Sequence, residues 1–208
     1  AAKRQTVFGK DLKLDALQVY LKGGRPVIFH ASRAREIREA LKLAAEFGLK
    51  PVISGGEEAW KVAKELYEQR ASVILAGTMG IPLERHDPAD AVASNAAKLS
   101  QAGVPFAISA AESFQGNSRN TPYHAAWAAA HGLSREEALK SVTIRAAEIL
   151  GISARAGSLD AGKDADLIIT TGDPLEIATD VVWMFIAGRP VSLESKHTRL
   201  YEKFKGRK

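Results

Sequence analysis

The stretch from Gly132 to Val191 most constrains what this chain can fold into. It opens with Ser134 and Glu137, the spacing of a capping box, in which the serine hydroxyl accepts the amide of the third helical residue and the carboxylate reaches back to the cap amide. Apolar residues then recur at steps of three and four as far as Leu150, and Gly151 stands where a left-handed C-cap is expected. The pattern predicts one helix from Ser134 to Gly151.

The remainder of this stretch predicts strands. The segment from Ala165 to Thr170 is a short apolar run, and it ends at the turn sequence Gly172–Pro174. Two further runs, from Val181 to Ile186 and from Pro190 to Leu193, flank a short segment that contains Gly188, which is the arrangement of a β-hairpin. A helix, a strand and a hairpin therefore follow one another along the chain.

Upstream, an apolar run followed by a helical pattern occurs four times. The first run, Val27, Ile28 and Phe29, is continuous, as in a strand buried on both faces. The runs and their helices lie at residues 25–30 and 34–47, 51–54 and 57–69, 72–76 and 89–102, and 104–109 and 121–131, after a short amphipathic helix at 12–21. Alternating strands and helices predict a parallel sheet with right-handed crossovers. Both an open doubly wound sheet and a segment of a (β/α)8 barrel satisfy this pattern.

The stretch from Gly132 to Val191 resembles the C-terminal end of the amidohydrolase superfamily, in the branch of imidazolonepropionases and dipeptidases. The resemblance is carried by the motifs GLSREEAL, LGI, GSLDAGKDADL, DPL and GRPV. It implies that the predicted helix closes a (β/α)8 TIM barrel, and that the strands after it belong to a small β-sandwich. The four upstream units would then be the last four of eight, so the resemblance favours the barrel over the open sheet.

We therefore expect an α/β chain built in three parts. Residues 1–155 form a partial (β/α)8 barrel with its closing helix, residues 156–195 form the sandwich strands, and residues 196–208 form a basic C-terminal tail. A half-barrel has two unpaired sheet edges, and such edges are rarely left bare. The expected partner is either a second copy of the chain, giving a homo-oligomer, or a complementary N-terminal half-barrel chain.

The net charge of +5 does not by itself indicate a nucleic-acid-binding protein. Six basic residues fall between Lys196 and Lys208, which predicts a solvated tail, with an anionic partner as the alternative. A nucleic-acid surface would interleave aromatic and base-reading side chains. There is no cysteine, and no apolar run approaches the ~18 residues of a membrane helix. With no apolar core of a signal peptide at the N-terminus, we expect a cytoplasmic protein without a membrane segment.

Functional side chains of (β/α)8 enzymes stand at the C-terminal ends of the strands, where the loops share one mouth. His30 ends the first strand, and the resemblance implies a metal-binding histidine there; the alternative is a histidine that bonds a neighbouring carbonyl. Ser54 stands where the family has another histidine, and zinc prefers imidazole, thiolate and carboxylate ligands. Ala110 or Ala111 stands where the family has its metal-binding aspartate, and Glu112 is a candidate for a displaced catalytic carboxylate. Both a bound zinc and the absence of any metal remain open.

Two loops hold further polar groups. In the first, His86, Asp87 and Asp90 are either metal ligands or a simple helix cap, with Asp87 placed before Pro88.

The second loop is either a lip that binds a small molecule or a polar surface loop. Its candidate binding residues are Asn117, Arg119, Tyr123 and His124. The guanidinium of Arg119 is suited to hold a carboxylate in bidentate geometry.

The resemblance implies a metal-dependent hydrolase that acts on carbon–nitrogen bonds in amides, dipeptides or rings of a small-molecule substrate. The alternative is a pseudoenzyme, a metal-free relative that keeps the fold as a binding or structural module. A third hypothesis, an open flavodoxin-like sheet that binds a phosphate, is less favoured because Gly55 and Gly56 alone do not have the spacing of a nucleotide fingerprint.

Overall fold

Four parallel strands follow one another across a single sheet. The computed structural model describes residues 11–21, 23–110 and 115–207. The strands are β1 (Pro26–Ala31), β2 (Lys50–Gly55), β3 (Ser72–Leu75) and β4 (Phe106–Ile108), and their order in the sheet is their order in the chain. The predicted α/β architecture with a parallel sheet is confirmed.

Helices connect the strands and cover one face of the sheet. The connecting helices are α2 (Ala34–Glu46), α3 (Ala63–Glu68) and α4 (Asn95–Gln101), with a 3₁₀ helix at Ala59–Val62. The helix α1 (Leu12–Leu21) precedes β1, and a 3₁₀ helix at Gln115–Asn120 and the helix α5 (Thr121–Ala130) follow β4. Because side chains alternate along a strand, residues in register share a face. Phe29, Ile53, Val73 and Phe106 are in register and pack with helical side chains that include Ile37, Leu41, Leu66 and Leu99. The main core therefore lies between the sheet and α2–α5, whereas α1 buries none of its residues.

The opposite face of the sheet is covered only in part. Two further helices, α6 (Arg135–Ser141) and α7 (Ile144–Ile149), follow α5. Ile149 of α7 packs with Val52 of β2 and Ala107 of β4 on this face. Ile28 of β1 stays 48% exposed, so the prediction of a first strand buried on both faces is wrong. The reason is that β1 lies at the edge of the sheet, beyond the cover that α7 provides.

The predicted single helix from Ser134 to Gly151 is two helices in the structure. Its start is confirmed, because the Ser134 hydroxyl accepts the amide of Glu137 at 3.2 Å. Its end is confirmed as well, since Gly151 has a φ of +72°. Between them Thr143 adopts φ −129° and ψ −102°, and its hydroxyl donates to the carbonyl of Leu139 at 2.8 Å. Such local side-chain bonds compete with the helical backbone pattern, which accounts for the break.

The predicted capping box at Ser134 forms only in half. The carboxylate of Glu137 lies 3.2 Å from the ammonium of Lys140 and 3.5 Å from the guanidinium of Arg145. The Glu137 carboxylate therefore pairs with these two cations and does not accept the backbone amide of Ser134.

Two upstream helices are shorter than predicted for a similar reason. Within the predicted helix at 57–69, the carbonyl of Glu57 accepts a side-chain bond from Asn95, and the regular α-helix begins only at Ala63. Within the predicted helix at 89–102, the Ser94 hydroxyl donates to the carbonyl of Asp90, and the α-helix begins at Asn95. In both segments polar side chains take up backbone groups that a longer helix would use.

A small antiparallel sheet follows the two helices. Its strands are β5 (Leu167–Thr170), β6 (Val181–Ile186) and β7 (Arg189–Pro190). The hairpin between β6 and β7 turns at Ala187 and Gly188, with φ values of +49° and +73°, the signature of a type I′ turn. The predicted hairpin is confirmed, with a second strand shorter than the expected run to Leu193.

The basic C-terminal segment contains a helix, α8 (Lys196–Phe204), whose residues all lie at the surface. Ser195 caps it, because its hydroxyl accepts the amide of Thr198 at 3.2 Å. In the part of the chain that the structure describes, no helix combines the length and the apolar character that crossing a bilayer requires.

Candidate functional site

A pocket of about 370 Å³ opens at the C-terminal ends of β1, β2 and β3. We call it the strand-end pocket. Polar groups dominate its chemistry, with one imidazole, two hydroxyls and two carboxylates. It is lined by His30, Ala31, Ser32, Glu36, Ser54, Gly55, Glu57 and Ala76. His30 and Ser54 are direct neighbours across the β1–β2 ladder.

The turn after β2 shapes this pocket, and it requires glycine. Gly55 has a φ of +110°, and a Cβ built there would lie 2.8 Å from the Ser32 hydroxyl and 3.1 Å from the carbonyl oxygen of Ala31. The next residue, Gly56, donates its amide to the same Ala31 carbonyl at 2.8 Å. The two glycines therefore bring the β2 turn against the end of β1, which a side chain would prevent.

The carboxylate of Glu36 binds backbone amides at the rim of the strand-end pocket. One of its carboxylate oxygens accepts the amides of Ser32 and Arg33, each at 3.0 Å. The hydrogen bond from Arg33, followed by that from Ser32, holds the pKa of Glu36 below its ordinary value. This carboxylate is thus ionised at neutral pH and committed to the start of α2.

Glu57 differs from Glu36, because its carboxylate has a buried oxygen without a partner among the described residues. Its Oε2 is buried and has no hydrogen bond within the described residues. The backbone beneath it is held by Asn95, which is 1% exposed. The Asn95 amide donates to the carbonyls of Gly56 at 2.8 Å and Glu57 at 3.2 Å. The structure therefore fixes the backbone of Glu57 and leaves a carboxylate oxygen unsatisfied.

A buried ion-pair network lies next to this turn. Glu58 is 5% exposed; its Oε2 accepts the amide of Ala34 at 2.8 Å, and its Oε1 lies 2.9 Å from the ammonium of Lys61. Lys61 also lies 2.7 Å from the carboxylate of Asp87. Burial opposes the charge of Lys61, but its bonds to Asp87 and Glu58 outweigh burial and raise its pKa. The prediction that Asp87 caps a helix is wrong, because Lys61 holds its carboxylate and the helix begins only at Asn95.

His124, in the first turns of α5, connects this helix to the loop after β3. Its Nδ1 accepts the backbone amide of Thr78 at 3.0 Å, and its carbonyl accepts the Thr78 hydroxyl at 2.7 Å. Burial lowers the pKa of this imidazole, in keeping with a neutral ring that accepts at Nδ1. The predicted binding residue His124 therefore has its Nδ1 committed to the structure.

The other residues predicted for the second loop do not line the strand-end pocket. Arg119 is exposed and lies in the 3₁₀ helix before α5, together with the backbone of Asn117. Tyr123 is partly buried in the first turn of α5. The pocket-lining residues in the described part of the chain come from the first three strand ends and the segments after them.

The described residues do not fit a zinc ion. His30 is the penultimate residue of β1 and its side chain is exposed, and its neighbour Ser54 is a poor zinc ligand. His86 is exposed at the surface, and Glu112 lies outside the described residues. Within residues 11–21, 23–110 and 115–207, no group of three or more His, Cys, Asp or Glu side chains is arranged to hold a metal ion. A catalytic zinc normally keeps three protein ligands.

A second cavity, of about 600 Å³, is mostly apolar. It lies between α7 and the small antiparallel sheet, where Leu150, Ile168 and Met184 contribute to its wall. Two carboxylates border it, but Asp164 is paired with Arg155, and Asp166 accepts the amide of Ala187. The groups suited to recognise a polar ligand are therefore at the strand ends.

Sequence reasoning identified His30 and Ser54 at the strand ends and missed Glu36, Glu57 and Asn95. Glu57 directly follows the Gly55–Gly56 turn, and this position is the sequence pattern that could have indicated a residue of the site. Asn95 gave no local signal, because it lies 38 residues from the carbonyl of Glu57 that it binds.

Comparisons with known proteins agree with this architecture. The model of the amidohydrolase family matches residues 85–192, just over half of the chain. A crystal structure of an amidohydrolase from Thermotoga maritima MSB8 superposes with a TM-score of 0.78 at 32% identity, covering 89% of this chain and 48% of that chain. An adenosine deaminase from Xanthomonas campestris with bound zinc superposes with a TM-score of 0.63 at 19% identity, covering 93% of this chain and 52% of that chain, which shows the fold alone.

A curated relative, amidohydrolase tasK of Hapsidospora irregularis, is 35% identical over 88 residues, which are 40% of this chain and 9% of that protein. The chain thus spans about half the length of the solved structures it matches, and a much smaller share of the curated relative. These matches confirm the predicted resemblance and the half-barrel architecture. The chain belongs to the amidohydrolase family.

Proposed function

We propose that this chain contributes half of an amidohydrolase-type barrel, and that its strand-end pocket binds a small polar molecule without a metal held by this chain. The observation that carries the proposal is the set of donors and acceptors at the strand ends. Hydroxyls and carboxylates are gathered there with a single imidazole, at the edge of the sheet where barrel proteins bind their ligands. This set suits hydrogen bonding to a ligand better than it suits zinc.

The remaining wall of the pocket would come from outside the described residues. The β1–β4 sheet exposes Ile28 and His30 at its β1 edge, next to the strand-end pocket. A second half-barrel that continues the sheet there would cover these side chains and narrow the pocket. We therefore also propose that the working form is a homo-oligomer or a complex with a complementary half-barrel. The absence of cysteine suits a cytoplasmic location, which we include in the proposal.

The second candidate is hydrolysis of carbon–nitrogen bonds, the activity that the family resemblance implies. It is favoured by His30, which lies next to the end of β1, where that resemblance implies a metal ligand. This function requires further ligands from Glu112 or from outside this chain, since the described residues supply no three-ligand group.

Metal content separates the two candidates. The protein is purified without chelator, offered zinc, desalted and measured by mass spectrometry, together with the variants His30→Asn and His86→Asn. We expect far less than one zinc per chain in all three proteins. About one tightly held zinc per chain, lost in His30→Asn and kept in His86→Asn, would contradict metal-free binding. Hydrolysis assays on small amides and dipeptides would then follow.

A further inference from the structure

We infer that Glu57 determines the specificity of the strand-end pocket, and that it selects small organic cations such as amidines, guanidines and amines. The inference rests on the proposed binding function and names its ligand class. It concerns a residue that the sequence patterns did not single out.

The first argument is the unsatisfied Oε2 of Glu57. This oxygen is buried, and no hydrogen bond reaches it from the described residues. Burial of an unpaired carboxylate oxygen is costly, and buried polar atoms almost always have a partner. Glu57 lines the pocket, so a ligand with a charged N–H donor would stabilise this carboxylate there, and a charge-assisted hydrogen bond is about twice as strong as a neutral one.

The second argument is the charge of the surroundings. The other lining carboxylate, Glu36, uses one oxygen to accept two backbone amides, whereas no hydrogen bond from the described residues reaches the buried Oε2 of Glu57. None of the described residues that line the pocket is a lysine or an arginine. Two of the nearby cations are already paired, Lys61 with Glu58 and Asp87, and Arg33 with Glu84. The pocket therefore offers a net negative charge to its ligand.

The third argument is rigidity. The side chain of Asn95 binds the carbonyls of Gly56 and Glu57, so the backbone that carries the carboxylate is fixed before a ligand arrives. Gly55 adds to this, because its turn packs against Ser32 and Ala31 too closely for any side chain. A preorganised acceptor has less entropy to lose when it binds.

The test uses three probes of nearly the same shape: benzamidine, which is a cation, benzamide, which is neutral, and benzoate, which is an anion. Binding is measured by calorimetry, and the imidazole signals of His30 are followed by NMR to locate the probe. We expect benzamidine to bind at least about 10-fold more tightly than benzoate, with benzamide between them. We also expect binding to shift the His30 signals.

Variants of Glu57 show whether this residue is the cause. Glu57→Gln keeps the shape and should remove most of the preference for benzamidine, whereas Glu57→Asp keeps the charge and should retain part of it. Glu39→Gln removes the same charge from an exposed position of α2 and should bind as the wild type does. Circular dichroism confirms that each variant is folded.

The outcomes separate this inference from the proposed function. Equal binding of the three probes, or an unchanged preference in folded Glu57→Gln, would overturn the role of Glu57 and leave the pocket as a binding site. If none of the probes binds and the His30 signals do not move, both the inference and the binding function are wrong.

Discussion

Thr78 is fully buried, and its backbone amide and its hydroxyl both donate hydrogen bonds to one residue, His124. The Thr78→Val variant keeps the shape of the side chain but removes the hydrogen bond from its hydroxyl to the carbonyl of His124. We expect a loss of about 1 kcal/mol in the free energy of unfolding, the net contribution of one buried hydrogen bond. Urea denaturation measures it, with Thr179→Val as the control, because the Thr179 hydroxyl has no hydrogen bond within the described residues. Equal stabilities of Thr78→Val and the wild type would contradict this role.

His124 also makes stability depend on pH. Burial holds its folded pKa below the ordinary value of 6.5, which the unfolded chain regains. The contribution of the neutral ring is complete above that unfolded value and is lost as the pH falls through the folded pKa, because the unfolded state then binds more protons.

The variant His124→Asn tests this, since its side-chain oxygen can accept the Thr78 amide but does not titrate. We expect the wild type to lose stability relative to His124→Asn between pH 7.5 and pH 5. Urea denaturation at several pH values measures the difference. Parallel pH curves for the two proteins would contradict the assignment.

Lys61 contributes strongly to the stability of the fold, because it is the cation that pairs with two nearly buried carboxylates. The side chains of Glu58 and Asp87 are only 7% and 5% exposed. Lys61→Met should therefore lower the free energy of unfolding by about 2–3 kcal/mol, since it leaves both charges without their cation. Lys64→Met is the matched control: that ammonium lies 3.8 Å from Glu68 at the surface and should change stability by less than about 0.5 kcal/mol. Similar losses in both variants would argue against the network.

These residues also show how much of the site the sequence could predict. His30 and Ser54 were placed correctly at the strand ends, because a strand boundary is a local pattern. The contacts of Glu57 with Asn95 and of Thr78 with His124 depend on which loops and helices meet in space. Thr78 and His124 lie 46 residues apart, and no local period relates them.

At the scale of elements, the joint between α7 and the segment before β5 depends on Gly157. Its φ is +93°, and a Cβ there would lie 2.7 Å from Cβ of Ala147 and 3.0 Å from Cα of Ile144. Gly162 has nearly the same φ, +89°, with nothing within 4 Å of the added atom. The two positions therefore separate backbone strain from steric overlap.

We expect Gly162→Ala to cost about 1 kcal/mol of strain. Gly157→Ala should cost roughly 1–3 kcal/mol more, because it forces the helix and the following segment apart. Urea denaturation of both variants tests this. Equal losses in the free energy of unfolding would contradict a steric overlap at Gly157.

The elements themselves were largely predictable. All four parallel strands and the type I′ hairpin lie where apolar runs and turn residues placed them. Helix lengths were overestimated, because apolar spacing continues through positions where Thr143, Ser94 and Asn95 bind backbone groups. A period of 3.6 residues reports which face is buried, and it does not report whether the backbone bonds are uninterrupted.

At the scale of the whole molecule, the exposed β1 edge predicts self-association of the isolated chain. A second half-barrel that closes the sheet would bury Ile28, which is 48% exposed. We expect analytical ultracentrifugation to give a mass above that of one chain, and Ile28→Lys to shift the protein towards the single chain. Leu43→Lys, at a side chain 45% exposed on α2, should leave the mass unchanged. A wild type that sediments as one chain would contradict self-pairing.

The strand order has a consequence for how the chain can fold during synthesis. Each strand of the parallel sheet pairs with the strand made just before it, so β2 can add to β1, and β3 to β2, as each leaves the ribosome. Only one crossover must close at each addition, which keeps the loop-closure cost of every step small. A ribosome-bound chain stalled after β3 and α4 should therefore already protect the amides of β2 from hydrogen exchange.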